Sequence, residues 1–317
     1  MRGSPGMSTA LAPEDRTSAV LVRLLHHSMT LHGLAPRPWD DTGATTALQN
    51  KRRLAEQALA QAGPAPLLRV GEALPALAHA PLVMALVAAE DGAGVLTRWT
   101  RLARYFHLRY PAQVVALGPG HARIAHPGAP NDPPGPALNL LLAGAMAGLL
   151  RWQGQAQVRL AFGPEATPAL DHDRVVLTQL PPCLETNVWQ LDWQPTPSQP
   201  PALRPSRGPA LVERIRQVIS RDLLRPWTVA TLAHQVGLSP RSLQRHLAQA
   251  NTSLTSLRHQ CRLEAATAQV LTTTTPLADI GFLCGFADSA HFHRTFKSST
   301  GLTPRQMRGV EESVASP

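Results

Sequence analysis

The chain has few cysteines, almost no lysine and no long apolar run. Its three cysteines, Cys183, Cys261 and Cys284, give neither an even disulfide framework nor a Cys-x-x-Cys pair. The longest apolar runs, residues 81–89 and 136–150, are shorter than the roughly eighteen residues that a membrane span requires. The first residues lack the apolar core of a signal peptide. We therefore expect a soluble, cytoplasmic protein with no membrane partner.

Basic charge is unevenly distributed along the chain. Residues 207–310 hold 13 arginines and lysines against 5 acidic residues, a net charge of +8 out of +9 for the whole chain. Such a concentration is typical of a segment that contacts nucleic-acid phosphates. Only Lys51 and Lys297 are lysines among the 30 basic residues. A nucleotide-composition bias explains the arginine preference as well as chemistry does.

From residue 228 onward the sequence contains the same helix, turn and helix twice, 48 to 49 residues apart. In the first copy Gly237 ends one helix, Ser239 can cap the next, and Pro240 suits a first helical position because its missing N–H needs no partner. Asp288 takes the capping position in the second copy. A bihelical unit of this kind places its second helix in the DNA major groove.

Helical periodicity separates the buried and outward faces of each second helix, because residues three or four apart share a face. Leu243 and Leu247 form the buried stripe of the first, and Phe292 and Phe296 that of the second. The residues that then face outward or flank the outward face are Arg241, Ser242, Gln244 and Arg245 in the first copy, and Ser289, His291, His293, Arg294 and Lys297 in the second.

We predict that these nine residues contact double-stranded DNA. Arginine can donate two hydrogen bonds to guanine, and glutamine can pair in the same way with adenine. The strongest predicted base readers are therefore Arg241, Gln244 and Arg245, followed by Arg294. Lys297 is predicted to neutralise a phosphate. For His291 and His293, a merely solvated helix face is an equally good interpretation.

Residues 207–310 resemble the DNA-binding domain of the AraC/XylS family of bacterial transcription regulators. The residues that carry the resemblance most specifically are Pro276-Leu277-Ala278-Asp279-Ile280, Gly285-Phe286, Phe292, Arg294, Phe296-Lys297, Gly301-Leu302-Thr303-Pro304 and Arg308. The resemblance implies an all-α domain with two helix-turn-helix units joined by a linker helix, here about residues 253–272. Such a helix would hold the two reading helices about one DNA turn, roughly 34 Å, apart.

The chain departs from the usual family pattern at three positions. Leu247 stands where an aromatic residue is usual, Asn251 near a usual glycine, and Gly281 in place of alanine. Leucine still fills the buried stripe, and asparagine tolerates the left-handed backbone conformation. Gly281 keeps a close helix approach at a cost of about 1 kcal/mol in helix propensity. We therefore expect the fold to be retained.

The first half of the chain has helical patterns followed by strand-like ones. The predicted helices lie near residues 16–32, 44–62, 74–90, 94–108 and 136–151, and the predicted strands at 113–117, 122–125, 157–162, 174–177 and 187–191. Helices followed by strands indicate an α+β domain. On Leu102-Ala103-Arg104-Tyr105 and the strand pair after it, this half weakly resembles the helix-rich sensor domain of one branch of the same family.

The predicted fold class is thus an α+β N-terminal sensor domain followed by an all-α C-terminal domain with two helix-turn-helix units joined by a linker helix. We assign residues 1–194 to effector sensing or dimerisation and 195–209, with six prolines, to a semi-extended linker. Residues 210–310 form the predicted DNA-binding domain and 311–317 a tail.

The sequence predicts no catalytic residue, no metal site and no cofactor. We interpret His26, His27 and His32 as surface or core histidines, and Asp171-His172-Asp173 as a loop. The small residues of segment 138–150 favour plain core over the wall of a ligand pocket. Arg98, Arg101, Arg104 and Arg109 fit a solvated helix face better than a site for an anionic effector.

The predicted function is that of a sequence-specific transcription regulator, an activator that responds to a small-molecule effector of unknown identity. Its predicted partners are an operator in double-stranded DNA, RNA polymerase and a second copy in a homodimer. The alternatives are a ligand-independent regulator or a repressor and, less favoured, a DNA-repair enzyme fused to a helix-turn-helix domain. The repair enzyme would need a reactive metal-bound cysteine cluster, whereas Cys183 stands alone.

Overall fold

The computed structural model describes residues 16–39, 45–107, 109–128, 131–196 and 210–312. These residues form an N-terminal α+β region and a helical C-terminal region. Residues 197–209, and with them most of the predicted proline-rich linker, lie outside the described residues.

In the N-terminal region most helices precede the strands of the main sheet, and the longest helix lies between two of these strands. The helices are α1 (Ala19–Leu31), α2 (Leu48–Ala62), α3 (Ala65–Leu68), a 3₁₀ helix (Val70–Leu77), α4 (Pro81–Val87), α5 (Gly92–Phe106) and α6 (Pro136–Gln153). The strands are β1 (Arg16–Ser18), β2 (Thr45–Ala47), β3 (Gln113–Gly118), β4 (His121–Ala125), β5 (Ala156–Phe162), β6 (Thr167–Asp171), β7 (Arg174–Val175) and β8 (Val188–Gln194). β1 pairs with β2, and the other six form one antiparallel sheet in the order β3-β4-β8-β5-β6-β7.

The central strand of the six-stranded sheet shows how the sheet covers the core. Trp189, Leu191 and Trp193 on β8 are buried, while the residues between them are half-buried. Alternate residues of a strand point to opposite faces, so one face of the sheet covers the apolar core.

Helix α6 lies at the centre of the N-terminal core and is buried along almost its whole length. A Cβ added at Gly144 would lie 2.2 Å from the carbonyl oxygen of Leu67, and one at Gly148 would lie 2.3 Å from the Cα of Gly71. The backbones touch at these two points, which explains the small residues of this segment. The interpretation of segment 138–150 as core is therefore confirmed.

One predicted helix of this region is wrong. Residues 74–90 do not form a single helix, because Pro75 lies inside a 3₁₀ helix that ends at Leu77 and Pro81 begins α4. Proline lacks the N–H that an α helix needs in its interior. The short strands β1, β2 and β6 were also not predicted. The remaining predicted helices and strands of this region are present within a few residues of their expected positions.

The C-terminal region consists of helices throughout the part that the structure describes. They are α7 (Ala210–Arg221), α8 (Val229–Gln235), α9 (Pro240–Gln249), α10 (Leu254–Thr272), α11 (Leu277–Leu283), α12 (Ser289–Thr300) and α13 (Pro304–Glu312). One apolar cluster lies around α8 and α9, and α10 contributes Leu257 and Cys261 to it. Further along, α10 contributes Leu263 and Val270 to a larger apolar cluster that includes Phe292 and Phe296 of α12 and is continuous with the N-terminal core.

The two regions are in contact with each other. Helix α10 packs against α4, and α13 contacts α5. Arg216 of α7 forms an ion pair with Glu264 of α10, and His79 Nδ1 lies 3.3 Å from the other carboxylate oxygen of Glu264. Glu264 therefore faces one partner from each region.

Among the described residues, no single helix has the length and apolar character needed to cross a membrane. The 3₁₀ helix Val70–Leu77 and α4 reach that length only when taken together, and they are bent by 113° at the break between them.

We predict that Gly148→Ala lowers the free energy of unfolding by about 2–3 kcal/mol, because the added methyl group meets the backbone of Gly71. The measurement is urea denaturation of the full chain. Gly309→Ala is the matched control, since Gly309 lies in α13 with open space around it. This change should raise stability by about 0.5–1 kcal/mol. Equal urea denaturation midpoints for the two variants would contradict the close contact between Gly148 and Gly71.

Candidate nucleic-acid interface

Helices α8 and α9 form a compact bihelical unit whose turn is fixed by local hydrogen bonds. Thr228 and Thr231 make a reciprocal capping box at the start of α8. Gly237 in the turn has φ +71°, a left-handed conformation that glycine adopts without strain. Ser239 Oγ accepts a hydrogen bond from the backbone N–H of Ser242 at 3.2 Å, and Pro240 begins α9. The cap and turn that the sequence predicted are confirmed.

Helix α9 buries one narrow stripe and exposes the rest. Leu243 is fully buried and Leu247 is 3% exposed, whereas Arg241, Gln244 and Arg245 are exposed. Ser242 is half-buried, and its hydroxyl accepts a hydrogen bond from Ser239 Oγ at 3.0 Å. Ser242 thus contributes to the helix start, while the other three side chains point into solvent.

Helices α11 and α12 repeat this arrangement with an aromatic core. Asp288 Oδ1 caps α12 by accepting a hydrogen bond from the backbone N–H of His291 at 2.6 Å. Phe292 and Phe296 are fully buried, with ring centroids 5.6 Å apart. A Cβ added at Gly281 would lie 3.0 Å from the Cβ of Phe292. The close helix approach expected at Gly281 is therefore present.

The outward residues of α12 fall into two groups. Ser289, Arg294 and Lys297 are exposed. His291 and His293 are half-buried at the edges of the face. The His291 ring lies 5.7 Å from that of Phe286, and its Nδ1 accepts a hydrogen bond from the backbone N–H of Ala287 at 3.4 Å. His291 therefore stabilises the turn as well as standing beside the outward face.

The basic side chains of the C-terminal region also fall into two groups. Arg214, Arg258, Arg262 and Arg308 each donate a hydrogen bond to a backbone carbonyl, and Arg216 pairs with Glu264. By contrast, the basic side chains of Arg241, Arg245, Arg294 and Lys297, and the amide of Gln244, make no hydrogen bond or ion pair with any described residue. The second group has its donors available for an external partner.

Asn251, which follows α9, is one of four non-glycine residues with positive φ in the described part of the chain. Its φ of 51° places it in the left-handed region, where asparagine is tolerated at a helix end. The expectation for this departure from the family pattern is confirmed. Asn251 ends the first unit and lets the chain turn into α10.

Candidate sites in the N-terminal region are less developed. His32 Nδ1 bonds to the carbonyl oxygen of Ser28 at 2.8 Å. Across the described ranges, no group of three or more histidine, cysteine, aspartate or glutamate side chains is arranged to hold a metal. Cys183 is exposed, and burial raises the pKa of the Cys284 thiol to about 11.

The prediction that Arg98 lies on a solvated helix face is wrong. Arg98 is 8% exposed and donates a hydrogen bond to the carbonyl oxygen of Ala85 at 2.8 Å.

A buried lysine next to an apolar cavity was not predicted from the sequence. The cavity lies among α1, the 3₁₀ helix, α4, α5 and α6, and its walls include Leu24, Leu86, Trp99 and Leu149. Ser18 and His107 also line it, but almost all of the cavity surface is apolar. Lys51 Nζ lies 3.5 Å from His107 Nδ1.

A sequence signal for this lysine was present. Leu48, Lys51, Ala55 and Ala58 lie on the buried face of α2, so a lysine occupies a position in an otherwise apolar stripe. Lysine is almost never fully buried without a partner.

Comparison with known proteins places the C-terminal region in a family. A family model described as a helix-turn-helix domain matches residues 232–309. The arabinose operon regulatory protein of Escherichia coli K12 is 37% identical over 120 residues, which are 36% of this chain and 41% of that protein. The transcriptional activator CfaD of Escherichia coli is 28% identical over 94 residues, covering 30% of this chain and 36% of that protein.

Solved structures cover the same part of the chain. The crystal structure of a transcriptional regulator with an AraC-type DNA-binding domain from Chromobacterium violaceum is 26% identical, with a TM-score of 0.31. The match covers 33% of this chain and 93% of that one. The chain spans about two fifths or less of the length of the curated relatives named above. The C-terminal region of this protein is therefore a helix-turn-helix domain of the AraC/XylS family of transcription regulators.

Proposed function

We propose that this protein is a sequence-specific DNA-binding transcription regulator that places α9 and α12 in successive major-groove segments of an operator. The observation that carries the proposal is the pair of capped, amphipathic helices whose outward donors have no partner among the described residues. Arg241, Gln244 and Arg245 are the donors on α9, and Arg294 and Lys297 those on α12.

Donor chemistry assigns roles to these side chains. Arginine and glutamine can form the paired hydrogen bonds that distinguish guanine and adenine in the major groove. Arg241, Gln244, Arg245 and Arg294 are therefore the proposed base readers. Lys297 is a point charge on a flexible stem and lies in the last turn of α12, which suits a phosphate contact.

The other four predicted contact residues have smaller roles in this proposal. Ser242 and Ser289 lie in the first turns of α9 and α12, where a hydroxyl can approach the DNA backbone. His291 and His293 stand beside Arg294 and widen the contact surface of the second unit.

Helix α10 supports the spacing of the two reading helices. Its 19 residues give a length of about 28 Å at 1.5 Å per residue. One turn of B-DNA is roughly 34 Å, so a rod of this length fits two neighbouring groove segments on one side of the duplex. The side chains that α10 contributes to the apolar clusters around α9 and around α12 support its proposed role as the linker helix.

The N-terminal region is proposed to sense a small-molecule effector or to mediate dimerisation, with residues 1–194, 195–209 and 210–310 as domain, linker and DNA-binding domain. Binding is proposed to activate transcription through RNA polymerase in the cytoplasm. The relatives named above are transcription regulators, so no enzymatic activity is proposed. Transfer of a methyl group from methylated DNA to Cys183, detected by mass spectrometry, would support the repair-enzyme alternative instead.

The base-reading assignment predicts separate effects for the two helices. Arg245→Ala should relax base preference in one patch of the operator and Arg294→Ala in another patch about one helical turn away. Each change should cost about 1–3 kcal/mol of binding free energy. Duplexes are first selected from a random pool by binding to the full chain. The footprint and the affinity of each variant are then measured on these duplexes.

Arg174→Ala provides the matched control, because Arg174 is an exposed arginine on β7 of the N-terminal region. It should leave affinity and footprint unchanged. If Arg245→Ala and Arg294→Ala weakened binding equally on every duplex, neither side chain would read bases.

The phosphate assignment of Lys297 predicts a different signature. Lys297→Ala should weaken binding to operator and scrambled duplexes by the same factor, because a phosphate contact carries no sequence information. It should also reduce the slope of log affinity against log salt by about 1. Fluorescence anisotropy titrations at about 50 to 200 mM salt measure both the affinity and its salt slope. A sequence-dependent loss with an unchanged slope would rule out this role.

A further inference from the structure

A cleft of about 530 Å³ lies between the N-terminal and C-terminal regions. One wall consists of residues from α1 and from the segment between the 3₁₀ helix and α4, and the other consists of residues from α7, α10 and the end of α12. His79 belongs to the first wall, and its side chain is 23% exposed. A titratable side chain therefore lies where the two regions meet.

The imidazole of His79 stands between two carboxylates of the C-terminal region. Its Nδ1 lies 3.3 Å from Glu264 Oε2 on α10, and its Nε2 lies 3.9 Å from Glu213 Oε2 on α7. Both ring nitrogens are shielded from solvent, and neither has a hydrogen-bond partner among the described residues. The nearby carboxylates are therefore the acceptors toward which the two nitrogens can donate.

The two protonation states of an imidazole differ in how well they fit between two carboxylates. A neutral ring has one N–H donor and one lone pair, whereas an ionised carboxylate only accepts hydrogen bonds. Neutral His79 can therefore donate to one glutamate only, and its lone pair faces the other. The protonated ring offers a donor to both glutamates and places a positive charge between two negative ones.

The other charged or titratable side chains that line the cleft are Arg23 on α1, Arg216 on α7 and His259 on α10. Arg23 opposes a positive charge on His79, whereas the charge of Arg216 is neutralised by its ion pair with Glu264. The end of α12 contributes only the hydroxyl groups of Ser298, Ser299 and Thr300. Two carboxylates and one unneutralised lining cation thus surround the imidazole.

His259 does not share the titration range of an ordinary imidazole. Partial burial, followed by the charges of His291 and Arg262, lowers the pKa of His259. Imidazoles ordinarily titrate between about pH 5 and 8. His79 is therefore the candidate for a change of charge in the cleft within this range.

The contacts of His79 connect the N-terminal region to the helix that joins the two helix-turn-helix units. Glu264 lies on α10, and the segment that carries His79 leads into α4, which packs against α10. Glu213 lies on α7, which also packs against α10. One proton on His79 thus attracts the N-terminal region to both α7 and α10.

We propose that His79, Glu213 and Glu264 form a pH-sensitive latch between the two regions. Protonation of His79 strengthens the contact of the N-terminal region with α7 and α10, and deprotonation weakens it. Because carboxylates ordinarily stay ionised above about pH 5, the added stability is present at low pH and is lost as the pH rises through the titration of His79. The packing of α4 against α10 persists in both states, so the latch changes the strength of the contact between the regions.

Hydrogen-exchange mass spectrometry of the full chain at about pH 6 and about pH 8 tests the latch. His79→Gln replaces the imidazole with a neutral amide that cannot gain a proton. At about pH 6 this variant should exchange the amides of α4 and α10 at least about threefold faster than the unmodified chain, because a partly exposed charge contact is lost. At about pH 8 the two proteins should exchange these amides at equal rates. Comparison of variant and unmodified chain at the same pH cancels the intrinsic pH dependence of exchange.

Matched variants separate the latch from general effects of charge. His121→Gln removes an exposed histidine of β4 and should not alter exchange in α4 or α10 at either pH. Glu213→Gln should speed exchange in α4 and α10 more at about pH 6 than at about pH 8, because its carboxylate faces the protonated ring. Glu165→Gln, on the exposed turn between β5 and β6, should leave exchange unchanged.

An equal acceleration by His79→Gln at both pH values would show that His79 only packs in the cleft, and the latch would be overturned. Unchanged exchange in His79→Gln at the lower pH would overturn it as well. The experiment contains no DNA, so failure of the latch leaves the DNA-binding proposal intact, and failure of operator binding leaves the latch intact.

Discussion

Helix α10 must satisfy several packing partners at once, and the arrangement of the C-terminal region depends on this constraint. Its first half supplies Leu257 and Cys261 to the cluster around α9, and its second half supplies Leu263 and Val270 to the cluster around α12. A helix cannot rotate to improve one contact without worsening the other. The orientation of α9 is therefore tied to that of α12 through one stiff element, as the proposed binding to an operator with fixed spacing would require.

The same helix carries a polar contact between the two regions. Glu264 pairs with Arg216 of α7, whose side chain is 7% exposed, and also faces His79 between the 3₁₀ helix and α4. Removing one partner of a buried ion pair typically costs about 3–5 kcal/mol, because the other charge stays buried. The ion pair with Arg216 fixes the Glu264 carboxylate on α10, and its other oxygen faces His79 in the segment before α4.

The C-terminal region was largely predictable from sequence because its signals are local. Caps at Ser239 and Asp288, and stripes at Leu243 and Phe292, depend on neighbours within one or two helical turns. Charge counting was less informative. It treated all arginines of the region alike, whereas Arg262 and Arg308 bond to backbone carbonyls more than thirty residues away in sequence.

The N-terminal region was harder because its determinants are long-range. Arg98 has the spacing of a surface residue, yet it is buried and donates a hydrogen bond to the carbonyl oxygen of Ala85. The apolar pattern of residues 74–90 fits a helix, but Pro75 and Pro81 divide it. Lys51 meets His107, 56 residues away, only after α2 and α5 have packed on the same core. Periodicity identifies the face on which a residue lies but not the residue it will meet.

The proposed effector must act through a difference in its affinity for two arrangements of the protein. Helix α4 is a suitable place for that difference. It has seven residues, follows a 3₁₀ helix with a sharp bend, and packs between the cavity and α10. Val83 and Leu86 of α4 line the apolar cavity, so a change in packing around this cavity would act on α4 directly. Because α10 contributes side chains to the apolar clusters around α9 and around α12, a displacement of α4 against α10 would act on both helices of the proposed DNA interface.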